Sequence, residues 1–160
     1  MQCGIQIHDS VTEAYEAMKI RKPRAGYTKR KFLRLCISDD DTYIVVDKEI
    51  DSVQQTSQMA DGYLCLLSHL HPEHCCFIIY DVSYETKDSL TKEDLVLIQW
   101  CPDAAETKEK VQYSMTQKTL KNKLKGFKAA FEFNSLDDLD RSVIADKLGN
   151  DILKVEGVNV

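Results

Sequence analysis

His69, His71, His74, Cys75 and Cys76 lie within one short stretch, and imidazole and thiolate are the groups that ligate zinc. A tetrahedral site needs such ligands to converge on one point. Cys75 and Cys76, however, open the run CCFIIYDV, which reads as a strand. Successive strand side chains point to opposite faces, so the two thiols cannot both face one metal. The histidines are therefore read as surface groups on a helix-to-strand connection and the cysteines as core, with no metal site and no cofactor. A Cys–His nucleophilic pair is the other chemistry these types could support. No serine or cysteine sits in a nucleophile motif, so no catalytic residue is assigned and the chain is not read as an enzyme.

The other chemically loaded stretch is 100–128, which reads as one long helix. At about 100° per residue, Tyr113, Leu120 and Leu124 fall within roughly 40° of one another and form a core-facing stripe. Lys108, Val111, Met115, Lys118, Asn122 and Lys125 fall on the opposite side. A helix packed on a domain has one apolar stripe and a polar remainder, so two apolar residues among lysines suggest a surface kept for a partner. The competing reading is a kink at the five-residue step from Met115 to Leu120 that turns Val111 and Met115 inward as well. Between Glu106 and Lys128 there are seven lysines and two glutamates, in a chain whose net charge is −5. The positive charge is local and would attract an acidic partner.

The elements that must hold this helix are legible in outline. The Ser10-Val11-Thr12-Glu13 run is a capping box for a first helix, with Val11, Ala14, Tyr15 and Met18 on its buried side. Residues 1–8 read as a mobile arm. Strands are expected at 31–37 and 42–46, joined by an acidic turn at 38–41, then a polar loop over 47–60 and a short helix over 61–70 that Pro72 ends. The runs 75–82 and 95–101 are almost continuously apolar, as in central strands covered on both faces, and the charged loop 84–94 should project between them. Pro102 and Asp103 are read as the start of the long helix. A strand at 128–133 follows, then a last helix opened by Ser135 and Asp138 and ended by Gly149, and a strand at 152–155.

A chain of 160 residues with 43% hydrophobic content fits one domain, 1–160. No apolar run reaches the roughly 18 residues of a membrane span and the first residues lack a signal-peptide pattern, so a cytosolic protein with reduced cysteines is expected. The negative net charge argues against nucleic acid as a partner. The basic residues Arg21, Lys22, Arg24, Lys29, Arg30 and Lys31 around Pro23 and Gly26 form a solvated loop, a nuclear-import signal or a contact for acidic lipid.

Several motifs resemble the actin-depolymerising factor/cofilin family: MKIRKP at 18–23, YDVSYETK at 80–87, EDLVLIQWCPD at 93–103, KEKVQYSMTQKTLKNKLKG at 108–126, DKLG at 146–149 and EG at 156–157. The resemblance covers essentially the whole chain. It implies an α/β fold of the three-layer α+β kind: a single ADF-homology domain with a mixed, mainly antiparallel sheet of five to six strands between helices. It further implies a monomer of the cytoplasm and cytoskeleton that binds actin monomers and filaments and severs or depolymerises the filaments. By position, the contact with monomers and filaments would use Cys3, Gly4 and Ile5 with Lys108, Lys110, Val111 and Met115. A filament-only contact would use Lys92, Asp94, Asp146 and Lys147, and phosphoinositide head groups would bind Lys121, Lys123 and Lys128. The chain departs from the family pattern in places. The N-terminal regulatory serine position is Cys3, paired lysines are reduced to Thr91-Lys92, a basic group after the last helix is Asn150, and a histidine that faces Asp94 is Ala129. These departures leave two alternatives, a monomer-sequestering member with weak severing and a signalling adaptor that uses the fold without actin.

Overall fold

The computed structural model of the chain describes residues 4–19, 31–47 and 62–160. The basic cluster from Arg21 to Arg30, residue Cys3 and nearly all of the expected 47–60 loop lie outside the described residues.

The sheet grows outward from β4 (Cys76–Thr86), whose side chains are apolar on both faces. Strand alternation sends Cys76, Ile78, Tyr80 and Val82 to one side and Phe77 and Ile79 to the other. On one edge β5 (Thr91–Trp100) pairs antiparallel with it from Cys76↔Trp100 to Glu85↔Thr91. On the other edge β4 is shared. Its first half pairs with β2 (Phe32–Ile37) and its last residues pair with β7 (Ile152–Val155), both antiparallel. Outside β2 come β3 (Tyr43–Val46) and then β1 (Gln6–Ile7), which runs parallel to β3. β6 (Ala129–Phe133) runs parallel to β5, and β8 (Val158–Asn159) continues β7 as a short ribbon.

Each face of this strand pair demands a cover of its own. One is provided by α1 (Asp9–Met18) and α3 (Thr107–Lys123), which bury Val11, Tyr15, Met18, Tyr113 and Leu120 against Leu33, Leu35, Phe77, Ile79 and Leu97. The other is provided by α2 (Gly62–Ser68) and α4 (Arg141–Leu148), which bury Tyr63, Leu66, Ile144 and Leu148 against Phe32, Ile78, Tyr80, Val96 and Ile98. The three-layer architecture expected from the sequence is present. The expected sheet of five to six strands is an eight-stranded one among the described residues, because two short strands at the ends join it.

Several boundaries differ from the sequence reading. The long helix does not begin near Trp100 or Asp103. Trp100 is still in β5, Cys101 N–H donates to Phe133 O at 2.9 Å, and Ala105 N–H turns back to Pro102 O at 3.0 Å, so helix starts only after Glu106. Most of the expected 84–94 loop is strand, with the turn confined to residues 87–90. The arm read over 1–8 joins the sheet from Ile5 onward: Ile5 is buried, and Gln6 and His8 donate backbone hydrogen bonds to Thr42 and Ile44. The first helix is capped by His8, whose Nδ1 accepts from Ser10 N–H at 3.1 Å, and not by Ser10. Ser135 opens a 3-10 turn, Leu136–Leu139, and Asp140 caps α4. No helix among the described residues is long and apolar enough to cross a membrane.

Leu120, fully buried, and Met115, 45% exposed, sit on opposite sides of the same helix. Leu120→Ala should lower stability by about 2–5 kcal/mol through the cavity it leaves, whereas Met115→Ala should cost about 0.5 kcal/mol or less. Chemical denaturation of the two variants measures both. Similar losses would mean that the helix has no free face.

Candidate binding face on the long helix

Helix α3 is bound to the domain through its buried side and by polar contacts at each end. Tyr113, Thr116 and Leu120 face the core, followed by Leu124 just beyond the last turn. Thr116 resolves the five-residue step in the apolar pattern. It occupies the inward position between Tyr113 and Leu120, and its hydroxyl is satisfied by donating to Gln112 O, so the stripe is continuous without a kink. The Tyr113 hydroxyl accepts from Ile37 N–H at 3.0 Å and so fixes the helix to the end of β2. In the first turn, Glu109 accepts from Cys75 N–H at 2.7 Å and lies 3.2 Å from His74 Nδ1. Gln99, buried in β5, donates to Ser114 Oγ at 3.3 Å. Beyond the C-terminal end, the Tyr15 hydroxyl donates to Lys125 O at 2.7 Å, next to Gly126, whose φ of +105° allows the chain to turn back toward β6.

With the helix held this way, its other side faces outward. Val111 is 50% exposed and Met115 45%, and Lys108, Lys118, Asn122 and Lys125 are exposed around them. The inward-turned alternative for Val111 and Met115 is overturned. Lys110 is the exception among the residues expected to be free: it is half-buried and its Nζ donates to Asp103 O at 2.9 Å, which ties the connector to the helix.

The relationship to known proteins spans nearly the whole chain. A family model described as cofilin/tropomyosin-type actin-binding protein matches residues 4–149. The chain belongs to this cofilin family. Its fold is similar to a Streptomyces griseoflavus cofilin (TM-score 0.74, 23% identity, covering 91% of this chain and 97% of that one). It is also similar to Plasmodium berghei actin depolymerization factor 2 (0.72, 20%, 92% and 99%) and to coactosin from Entamoeba histolytica (0.70, 18%, 92% and 96%).

In this cofilin-type domain the other sequence-derived residues fall at separate places. Gly4 is exposed at φ +74°, while Ile5 beside it is core, so of this pair only Gly4 presents a surface. Lys121 and Lys123 in the last turn of α3 and Lys128 before β6 are exposed, and the Lys19 side chain reaches the Gly126 turn between them in sequence. Lys92 is exposed on β5. Asp94 is half-buried and accepts from the Tyr84 hydroxyl at 2.5 Å. Asp146 and Lys147 are exposed on α4, which packs on β7, the strand that pairs with Tyr84. Among the described residues no three His, Cys, Asp or Glu are placed to hold a metal ion. His71 and His74 contact each other and are exposed, Cys75 and Cys76 are buried on opposite faces, and His69 stacks on Phe32.

Glu109 and Tyr113 are the residues sequence reasoning missed as positioning groups. A glutamate in a first helical turn is ordinary dipole chemistry, and nothing in the sequence says that a strand N–H lies within its reach. Tyr113→Phe keeps the ring against Phe77, 5.1 Å away between centroids, and deletes only the acceptor for Ile37 N–H. It should cost about 1–3 kcal/mol of stability, the penalty of an orphaned backbone donor. A denaturation midpoint equal to the parent's would show that water replaces the hydroxyl.

Proposed function

We propose that this chain binds actin, as monomer and in filaments, through the outer face of α3, and that it promotes filament severing and depolymerisation. The observation that carries the reading is the pair Val111 and Met115, left half-exposed between lysines on a helix whose opposite side is fully committed to the core. Docking would bury these two apolar side chains at the centre of a patch that Lys108 and Lys118 surround with positive charge. This complements an acidic surface. Lys110 contributes its charge from a position already fixed by Asp103. Gly4, exposed beside the buried Ile5, would add to the contact, as would Cys3 by its family position.

A second contact, used only in filaments, would be formed by Lys92, Asp94, Asp146 and Lys147. Lys92 lies opposite Tyr84 on β4, and Tyr84 lies opposite Val155 on β7, against which α4 packs. The hairpin end and α4 therefore belong to one end of the sheet. Lys121, Lys123 and Lys128 would bind phosphoinositide head groups, each lysine being worth about 1 kcal/mol near an anionic membrane. Head groups bound there would compete with actin for the same helix. The reading places the protein in the cytoplasm and cytoskeleton as a monomer, and the Arg21 to Lys31 cluster would serve nuclear import.

Lys108→Glu combined with Val111→Asp should leave the thermal midpoint nearly unchanged and weaken monomer binding by two orders of magnitude or more, since like charge in an interface costs several kcal/mol. Asp146→Lys with Lys147→Glu should spare monomer binding and reduce filament co-sedimentation and severing. Fluorescence titration with monomers, pelleting with filaments and melts on the same preparations give all the readings. Unchanged monomer affinity in the first variant would refute the assigned face.

Filament activity should also change little between about pH 6.5 and 8, the range that brackets histidine titration. The position from which a histidine would face Asp94 is Ala129, and Asp94 is instead bonded to Tyr84. Burial, and then the Asp94 hydrogen bond, push the Tyr84 pKa up, so its hydroxyl keeps its proton across the range. A several-fold rise in depolymerisation rate at the higher pH would contradict this.

A further inference from the structure

The β4–β5 register pairs Cys76 with Trp100. One step further along the same ladder, Cys75 lies opposite Cys101. Neither backbone N–H serves this pair: Cys75 N–H donates to Glu109, and Cys101 N–H donates to Phe133 O on β6. The two cysteines are thus a non-hydrogen-bonded antiparallel pair. In that arrangement Cα atoms approach to about 4.5 Å, inside the range of roughly 4.4–6.8 Å that a disulfide spans. Both cysteines belong to the same buried cluster, on the α3 side of the sheet, and Gln99 Nε2 donates to the Cys101 sulfur from 3.5 Å. Cys36 and Cys76 are also free thiols, but Cys76 points to the opposite face of the sheet.

We propose that Cys75 and Cys101 form a peroxide-responsive dithiol, with Cys101 as the attacking sulfur and Cys75 as the resolving one, whose disulfide staples the base of α3. The hydrogen bond from Cys75, and then the one from Gln99, lower the Cys101 pKa against the opposing effect of burial. The same bond and burial raise that of Cys75. The thiolate is the reactive form, and the Gln99 Nε2–H directed at the Cys101 sulfur favours it there. Its sulfur attacks one oxygen of hydrogen peroxide, the O–O bond breaks, and the departing hydroxide takes a proton to leave as water. Cys101 is then a sulfenic acid. The Cys75 sulfur attacks the Cys101 sulfur, an S–S bond forms, the S–O bond breaks, and the hydroxyl leaves with the Cys75 proton as a second water. Two thiols are oxidised and one peroxide is reduced to two waters. His74, next to Cys75, is exposed, and Cys75 and Cys101 each keep 3% of their surface open to solvent, so a small oxidant reaches the pair from the His74 side.

The staple acts on the helix because both strand ends hold it. Cys75 N–H is bonded to Glu109 in the first turn of α3, and Gln99 links the Cys101 sulfur to Ser114 one turn on. A disulfide fixes the separation of the two ends and stiffens the connector from Pro102 to Glu106. The inference does not depend on what α3 binds.

The test is chemical. The folded full-length chain is treated with a small excess of hydrogen peroxide, alkylated, digested without reductant and analysed by mass spectrometry. The expected product is a Cys75–Cys101 linked peptide that has lost two hydrogens and separates again with dithiothreitol, with a raised thermal midpoint for the oxidised protein. Cys76→Ser should still form it. In Cys75→Ser, Cys101 should stop at the sulfenic acid and be trapped by dimedone. Cys75 left unlinked, or joined instead to Cys36 or Cys3, would overturn the proposal. Because the linkage is read in the parent chain, a variant that fails to fold leaves the decision intact.

Discussion

A strand that is apolar on both faces can exist only if it is covered twice, and β4 is such a strand. Its alternation divides the hydrophobic residues into two separate cores. All later choices in the fold follow from this division. β5 must be equally apolar to continue the ladder, β2 and β7 must share the remaining edge, and each face needs two helices. An area-scaled hydrophobic term of about 25 cal/mol per Å² makes leaving either face bare far more costly than any single contact described here.

Covering the α3 side with so long a helix leaves an outward-facing surface as a by-product. Seventeen residues of helix present more circumference than a flat sheet can bury, so one side remains outside whatever the sequence. This chain puts Val111 and Met115 there among lysines. Orientation is set by polar anchors on the buried side. Tyr113 to Ile37, Glu109 to Cys75 and Gln99 to Ser114 each tie the helix to a different strand or strand end. Rotation of the helix about its axis would break all three together, so the exposed face is defined as firmly as the buried one.

What could be read from the sequence was what depends on periodicity. The two sides of α3, the inward residues of α1 and the doubly buried central strands all follow from spacing, and all are present. What could not be read depends on partners distant in sequence. Pro102 and Asp103 are good helix openers locally, yet the β5 ladder and the bond from Cys101 to Phe133 hold the chain extended there. Residues 84–94 are charged because a ribbon at the end of a sheet is open to solvent, and charge alone does not distinguish such strands from a loop. His8 outcompetes Ser10 as a cap because the chain enters α1 directly from β1.

The motifs behind the family resemblance serve two different ends. Glu156 in the EG pair has φ +53°, and its carboxylate accepts from the Tyr80 hydroxyl at 2.6 Å and Ser83 N–H at 3.1 Å and pairs with Lys31 at 2.7 Å. It joins the turn after β7 to the middle of β4 and to the start of β2. Tyr80 and Ser83 themselves belong to the YDVSYETK motif, so two matches far apart in sequence are one contact in space. These residues hold the scaffold, a fold similar to that of chains only 18–23% identical to this one. The outward residues of α3 carry no comparable structural demand. Among the described residues Lys108, Val111 and Met115 make no side-chain hydrogen bond or ion pair, so the scaffold does not fix their types.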